Sequence, residues 1–273
     1  MANLGKIGIW RRRFDGTDDL DRIEAAGYSA VWVGASPSVE QARPFLEATS
    51  SMTVATGILN VWQHDPSAVA AAHAETTAAF PGRFILGLGI GHPEATAEYR
   101  SPLATMRDFL AALDAAPVPV PRGERVLAAL GPKMLALAAE RAGGAHTYFV
   151  TPQHTSAARA ALGPDALLAP EVAVVVEPDA ETARGHARAY AKTYLGLTNY
   201  TANLQRFGYT PDDIAGGGSD RLIDAVIPHG SAATVAEAVR AHLDAGADHV
   251  ALQPLGHGPS PVADLEAIAK ALG

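Results

Sequence analysis

Short apolar runs rich in β-branched residues alternate with stretches whose apolar positions recur every three or four residues along almost the whole chain. The first pattern predicts strands and the second predicts amphipathic helices. Eight runs read as strands, at 6–10, 29–34, 53–59, 83–90, 125–130, 145–150, 171–176 and 249–254. Most are apolar throughout instead of alternating, as expected for parallel strands buried on both faces. Between them, helical spacing is carried by Leu20, Ile23 and Ala26, by Val39, Ala42 and Leu46, by Met134, Leu137 and Ala138, and by Val235, Val239 and Leu243. Gly27, Gly143 and Gly246 stand just past such stretches, where left-handed helix caps are expected. The phrases EAAGYSAVWV and DAGADHVALQ repeat one helix, glycine and strand unit, which supports a repeated architecture.

Eight strands alternating with helices predict an α/β fold, a single (β/α)8 TIM barrel spanning 1–273. The 273 residues are close to the ~250 typical of that fold. An open doubly wound sheet fits less well. Eight strands exceed its common number, and the first strand-to-helix turn, WRRRFDGTDD, has no G-x-G-x-x-G fingerprint. Segments 92–124 and 192–230 break the rhythm and are expected to be insertions at the C-terminal face, forming lids or walls of the mouth.

Composition narrows the chemistry. The absence of cysteine removes disulfides, thiolate metal sites and thiol nucleophiles. A net charge of −8 argues against a nucleic-acid or anionic-membrane partner, and the only basic cluster is Arg11, Arg12 and Arg13. No apolar run approaches a membrane span and the first residues lack a signal-peptide core, so a cytoplasmic protein is expected. Aromatics are only 6% of residues, which fits Ala-rich helices packed closely on a sheet of small residues.

In a barrel, functional groups gather where strands end. Trp10 and Trp62 fall there and are expected to line a substrate pocket with Arg11, while Trp32 lies within its strand and is assigned to the core. The run GLGIGH, 87–92, leaves one strand face without side chains, so that a flat ring or another backbone segment can approach. The ring is the expected occupant. LGPKM, 130–134, places Gly131 before Pro132 at a helix start, where backbone N–H groups can cradle a phosphate. His92 is the candidate catalytic acid or base, since imidazole serves either role near neutrality. His64, His154 and His257 are lesser candidates. No spacing suggests a metal site, and none is expected.

The stretch TVATGILNVW, followed by DPSAVAA and FPGRFILGLGIGH, resembles the luciferase-like oxidoreductase superfamily, and most of all its coenzyme F420-dependent branch. LAALGPKMLALAAERAGGAHTYFVTPQHT and AGADHVALQP extend the resemblance over nearly the whole chain. The resemblance implies F420 as cofactor, hydride transfer between the deazaflavin C5 and a small organic substrate, and a homodimer. It implies a cis peptide between Gly57 and Ile58, with Gly57, Ile58, Leu59 and Asn60 behind the ring. Ala129, Leu130, Gly131, Pro132 and Thr151 would hold the phosphate. An FMN-dependent monooxygenase on the same fold is the alternative, and a non-catalytic cofactor carrier is a third reading. Relatives that oxidise glucose 6-phosphate carry a histidine where this chain has Gly34, Ala35 and Ser36, and a glutamate at His92. Sugar-phosphate oxidation is therefore not expected.

Overall fold

The computed structural model describes residues 4–95, 99–256 and 261–273. Their β segments are β1 (Ile7–Arg12), β2 (Ala30–Gly34), β3 (Thr53–Thr56), β4 (Leu59–Asn60), β5 (Phe84–Gly89), β6 (Arg125–Ala128), β7 (Gly144–His146), β8 (Leu167–Leu168), β9 (Glu171–Val176), β10 (His229–Gly230) and β11 (Val250–Pro254). All pair in parallel, in the order β10-β9-β11-β1-β2-β3-β5-β6-β7-β8, with β4 against β5.

β8, the last strand of that order, continues into β9, next to its first, in one run through Ala169 and Pro170. On one side of the run, Ala169 N–H donates to Ala145 O and Glu171 N–H to Thr147 O. On the other, Ala251 N–H donates to Pro170 O. The run therefore bridges β7 and β11, and the curled sheet has eight staves: β1, β2, β3 with β4, β5, β6, β7, β8 with β9, and β11. Helices such as Pro66–Ala79, Pro132–Arg141, Pro152–Leu162, Ala232–Asp244 and Val262–Leu272 alternate with them.

The double burial read from the sequence has a simple geometric basis. Successive side chains of a strand point to opposite faces. In β2, Val31 and Val33 join the large core between sheet and helices, while Ala30 and Trp32 join an inner cluster with Ala55, Ile85, Val126, Ala169 and Ala251. The inner cluster is mostly small residues, so Trp32 fills the space they leave and stacks on His146 with ring centroids 4.2 Å apart.

All eight predicted strand runs contain strands, with two local differences. The run 53–59 is divided into β3 and β4 by a cis peptide between Gly57 and Ile58. The run 145–150 leaves the sheet after His146, and Phe149 adopts a left-handed φ of 55°. Gly27 and Gly246 are left-handed as expected, at φ 99° each. Gly143 is not. It stands in a tight place instead, since a Cβ there would lie 3.2 Å from the Gly123 backbone.

The second irregular segment forms helices Thr198–Arg206, Pro211–Ile214 and Asp220–Val226. Their residues Tyr200, Leu204, Leu222 and Ile223 pack with Ala183, Ala187 and Ala191 of helix Ala180–Tyr194 and with Phe149. That apolar cluster fixes Tyr200 and its neighbours at the C-terminal mouth, as the wall role expected of the segment requires.

Candidate functional site

A cavity of about 480 Å³ opens at the C-terminal ends of the staves. Trp10, Gly57, Ile58, Asn60 and Gly89 line one side; Ala128, Ala129 and Leu130 lead into a helix start; Tyr148, Tyr194 and Tyr200 form the remaining wall, and His92 stands among the lining residues.

The glycine side is built by close approach of chain to chain. A Cβ on Gly87 would come within 1.9 Å of the Thr56 carbonyl oxygen, and one on Gly89 within 2.3 Å of the Ile58 side chain. The expectation that these glycines clear room for a flat ring is therefore corrected. They clear room for the chain at 56–58, and this bulge carries Ile58 to the cavity. Thr56 ties the same place together: its hydroxyl donates to Gly87 O and accepts from Gly87 N–H, both at 2.8 Å. Trp10 braces the bulge from the other side. Its ring occupies the space where a Gly34 Cβ would stand, and its Nε1–H donates to Gly57 O at 3.1 Å.

At the helix starts, Gly131 is the N-cap of Pro132–Arg141 and Thr151 that of Pro152–Leu162. His154, in the first turn of the latter, donates from Nε2 to Leu130 O at 3.0 Å, so the two starts lie side by side. Both leave N–H groups without helical partners and present the positive end of the helix dipole. Arg206 stands beside them, its guanidinium nitrogens 3.7 and 3.8 Å from where a Gly131 Cβ would be. Its recorded side-chain partner is Asn203 Oδ1 at 3.4 Å, and among the described residues no carboxylate pairs with it. This donor set, two helix starts and a guanidinium without a counter-charge among the described residues, suits a phosphate group.

The aromatic wall is polar at its centre. The Tyr148 hydroxyl lies 2.7 Å from that of Tyr190 and 2.9 Å from that of Tyr194, and it donates to Gln253 Oε1 at 2.8 Å. Tyr190 also donates to Gln253 Oε1, at 2.9 Å, and reaches Glu171 Oε1 at 3.4 Å. Glu171 is fully buried, and that burial pushes its carboxyl up to about 8. Burial likewise raises the phenols of Tyr148, Tyr190, Tyr194 and Tyr200. Beneath, His146 gives its Nδ1–H to Ala169 O at 2.7 Å, leaving Nε2 as a buried acceptor without a partner. Desolvation lowers this imidazole to about 4, so it is neutral at pH 7.

Of the residues expected at the site, Gly57, Ile58, Asn60, Ala129, Leu130, Trp10 and His92 line the cavity. His92 Nδ1 faces Asn199 Oδ1 at 3.1 Å, and its ring lies 5.4 Å from that of Tyr200. Gly131, Pro132 and Thr151 stand at the adjoining helix starts. Leu59 is wholly buried in the core. Trp62 does not line the cavity, because its Nε1–H is turned to Ile90 O at 2.7 Å. Arg11 is buried in a two-pronged ion pair with Asp19, at 2.5 and 2.9 Å, and Arg12 takes the place at the cavity that was expected of it. His154 is occupied with Leu130, His64 is absent from the lining, and His257 lies outside the described residues. Sequence reasoning missed Arg206, His146, Glu171 and the tyrosines of the wall. The spacing of Tyr190 and Tyr194, one helical turn apart, was the one local signal for the latter.

Among the described residues, no helix is long and apolar enough to cross a membrane, and no group of three acidic or histidine side chains is placed to hold a metal ion. The chain is similar in structure to an F420-dependent secondary alcohol dehydrogenase solved with an F420–acetone adduct. The TM-score is 0.74 at 17% identity, with 100% of both chains covered. It is similar to a coenzyme F420-dependent tetrahydromethanopterin reductase from Methanopyrus kandleri, with TM-score 0.72, 16% identity and 99% of each chain covered. It is also similar to the oxygenating constituent of 3,6-diketocamphane monooxygenase from Pseudomonas putida, solved with FMN. Here the TM-score is 0.71 at 15% identity, covering 98% of this chain and 97% of that one. These likenesses establish the fold. No curated protein matches the sequence. The sequence model of luciferase-like monooxygenases matches residues 18–249, most of the chain including β2 to β9 and the cavity they shape, and the protein belongs to that family.

Proposed function

We propose that the protein is a coenzyme F420-dependent oxidoreductase acting on a small organic substrate. The observation that carries this reading is the cavity itself: a bulged wall at 57–60 beside two helix starts and Arg206, which has no carboxylate partner among the described residues. A tricyclic ring with a phosphate-bearing side chain meets both features at once. The preference for the deazaflavin over FMN rests on the resemblance of the stretch 53–92 to the F420-dependent branch, and two of the similar structures are named as F420-dependent enzymes.

When bound, the deazaflavin supplies the hydride chemistry. The chain does the rest. Trp10 and Thr56 hold the bulge that backs the ring, while Ala129, Leu130, Gly131 and Thr151, with Arg206 beside them, take the phosphate. Tyr148, Tyr194 and Tyr200 keep water from the inner side. His92, steadied by Asn199, exchanges a proton with the substrate near the rim. The protein is proposed to work as a homodimer, on the strength of the family resemblance, and in the cytoplasm, as expected from the sequence.

A specific observation favours testing FMN in parallel, since a similar structure was solved with FMN. Reduced F420 should be oxidised by members of a panel of enones, imines and ketones, and His92→Ala should lower that turnover by about 10²-fold, as loss of a general acid or base does. Oxygen consumption with reduced FMN and no use of F420 would replace this reading with the monooxygenase. Binding without any turnover would leave a cofactor carrier.

A further inference from the structure

The tyrosine wall gathers its polar contacts beside one buried carboxyl. Glu171 opens β9 inside the barrel, with 1% of its surface exposed. The groups facing it are the Phe149 N–H at 3.4 Å and the Tyr190 hydroxyl at 3.4 Å, with Tyr148, Tyr194 and Tyr200 behind. No cation pairs with it among the described residues. A buried carboxylate without a cation costs several kcal/mol, so the acid keeps its proton where water-exposed glutamates have lost theirs.

Five contacts then join Glu171, Tyr190, Tyr148, Tyr194 and Gln253. With Glu171 protonated, four mobile protons serve them; with Glu171 ionised, three do. Gln253 Oε1 accepts from Tyr148 or Tyr190, which lets either hydroxyl turn from Gln253 to its neighbour without losing a partner. Tyr194 and Tyr148 line the cavity, whereas Glu171 and Tyr190 do not. The contacts thus run without a gap from a sealed acid to the cavity wall.

We propose that the Tyr194 hydroxyl exchanges a proton with the bound substrate and is resupplied from Glu171 through the hydroxyls of Tyr190 and Tyr148. In the reducing direction, a carbonyl substrate takes a hydride from a reduced flavin or deazaflavin at carbon, and the Tyr194 proton at oxygen. Tyr194 takes a proton from Tyr148, Tyr148 from Tyr190, and Tyr190 from the Glu171 carboxyl, which is left as carboxylate and regains its proton from water after product leaves. The oxidising direction reverses each transfer. This gives the inner wall a proton source shielded from water, an alternative to His92 at the rim for the one proton that the reduction takes up. It rests on the proposed hydride transfer only for the use to which the proton is put.

The relay can be tested without any cofactor. In the unloaded protein, difference infrared spectra against Glu171→Gln should show a protonated carboxylic acid at pH 7 that is lost with a midpoint near 8. With ring-labelled tyrosines, the carbon bearing the Tyr194 hydroxyl should shift in the same pH step. In Tyr190→Phe that response of Tyr194 should vanish while the Glu171 signal remains. A Glu171 ionised at pH 7, or a Tyr194 signal indifferent to Glu171 or unaltered by Tyr190→Phe, would overturn the relay. In the loaded enzyme, Tyr194→Phe should lower kcat by at least about 10-fold with KM within about twofold. Failure to use F420 would defeat the cofactor reading and leave the unloaded-protein results standing.

Discussion

The two sides of the cavity are built on opposite plans. On one side, the chain is brought against itself: Gly34 admits the Trp10 ring, Gly87 the Thr56 carbonyl and Gly89 the Ile58 side chain, and Thr56 bonds twice to Gly87. Nothing titrates there. On the other side, large side chains enclose a carboxyl, and Tyr148, Tyr190, Tyr194, Gln253 and Glu171 share hydrogens over contacts of 2.7–3.4 Å. The first side is a shape and the second a proton inventory. Shape of this kind tolerates no added atom, whereas a hydrogen-bonded group can lose one hydroxyl and keep its packing.

That contrast sets the order of the expected effects. The largest belongs to the glycine side. Gly87→Ala puts a methyl group 1.9 Å from a backbone oxygen that Thr56 cannot withdraw without breaking its own bonds. We expect a loss of about 3 kcal/mol or more in urea unfolding, beyond the usual range for surface changes. A loss under about 1 kcal/mol would mean that the bulge is free to move, and the contrast would fail on this side.

Glu171→Gln comes next and depends on pH. In the folded protein the carboxyl titrates at about 8, in the unfolded chain near the ordinary value of 4.5. Between those values the folded form holds a proton that the unfolded chain has released. Stability is therefore fully present below the lower value and declines as pH rises, until the folded carboxyl has ionised. Glutamine escapes this loss. The variant should gain on the native protein from pH 5 to pH 8, by at most about 1.4 kcal/mol per pH unit, and hold that gain at pH 9. A difference independent of pH would show that the carboxyl ionises freely in the fold.

Arg206→Ala should have the smallest effect on the fold and a selective one on binding. The guanidinium makes one long contact at the surface, so stability should change by less than about 0.5 kcal/mol. Affinity for a phosphate-bearing cofactor should fall by about 10-fold, the value of one charge-assisted contact, while riboflavin, which lacks the phosphate, should bind the variant and the native protein alike. Equal losses for both ligands would remove Arg206 from the phosphate site.

The same contrast explains what the sequence discloses. The barrel is legible because strand and helix periods are local, and all eight predicted runs contain strands. The glycine side is compressed into 53–92, so its motif stands out in one stretch, although the chain at 56–58, and not a ring, fills the space that Gly87 and Gly89 leave. Trp62 marks the limit of strand-end reasoning: position along a strand gives the layer, not the way a ring turns. The tyrosine wall draws on residues 148, 171, 190, 194 and 253, from three separate elements and a loop, and no local pattern joins them. Glu171 does stand out as a charge opening the apolar run EVAVVV, yet only its burial, with no cation paired to it among the described residues, shows why it matters.

The central claim is that this cavity holds a phosphate-bearing deazaflavin. Parallel equilibrium titrations of the protein with F420 and with FMN, followed by cofactor fluorescence, test it most directly. The account predicts saturable binding of F420, one per chain, at least about 10-fold tighter than any binding of FMN. Tight, saturable FMN binding with no response to F420 would contradict it.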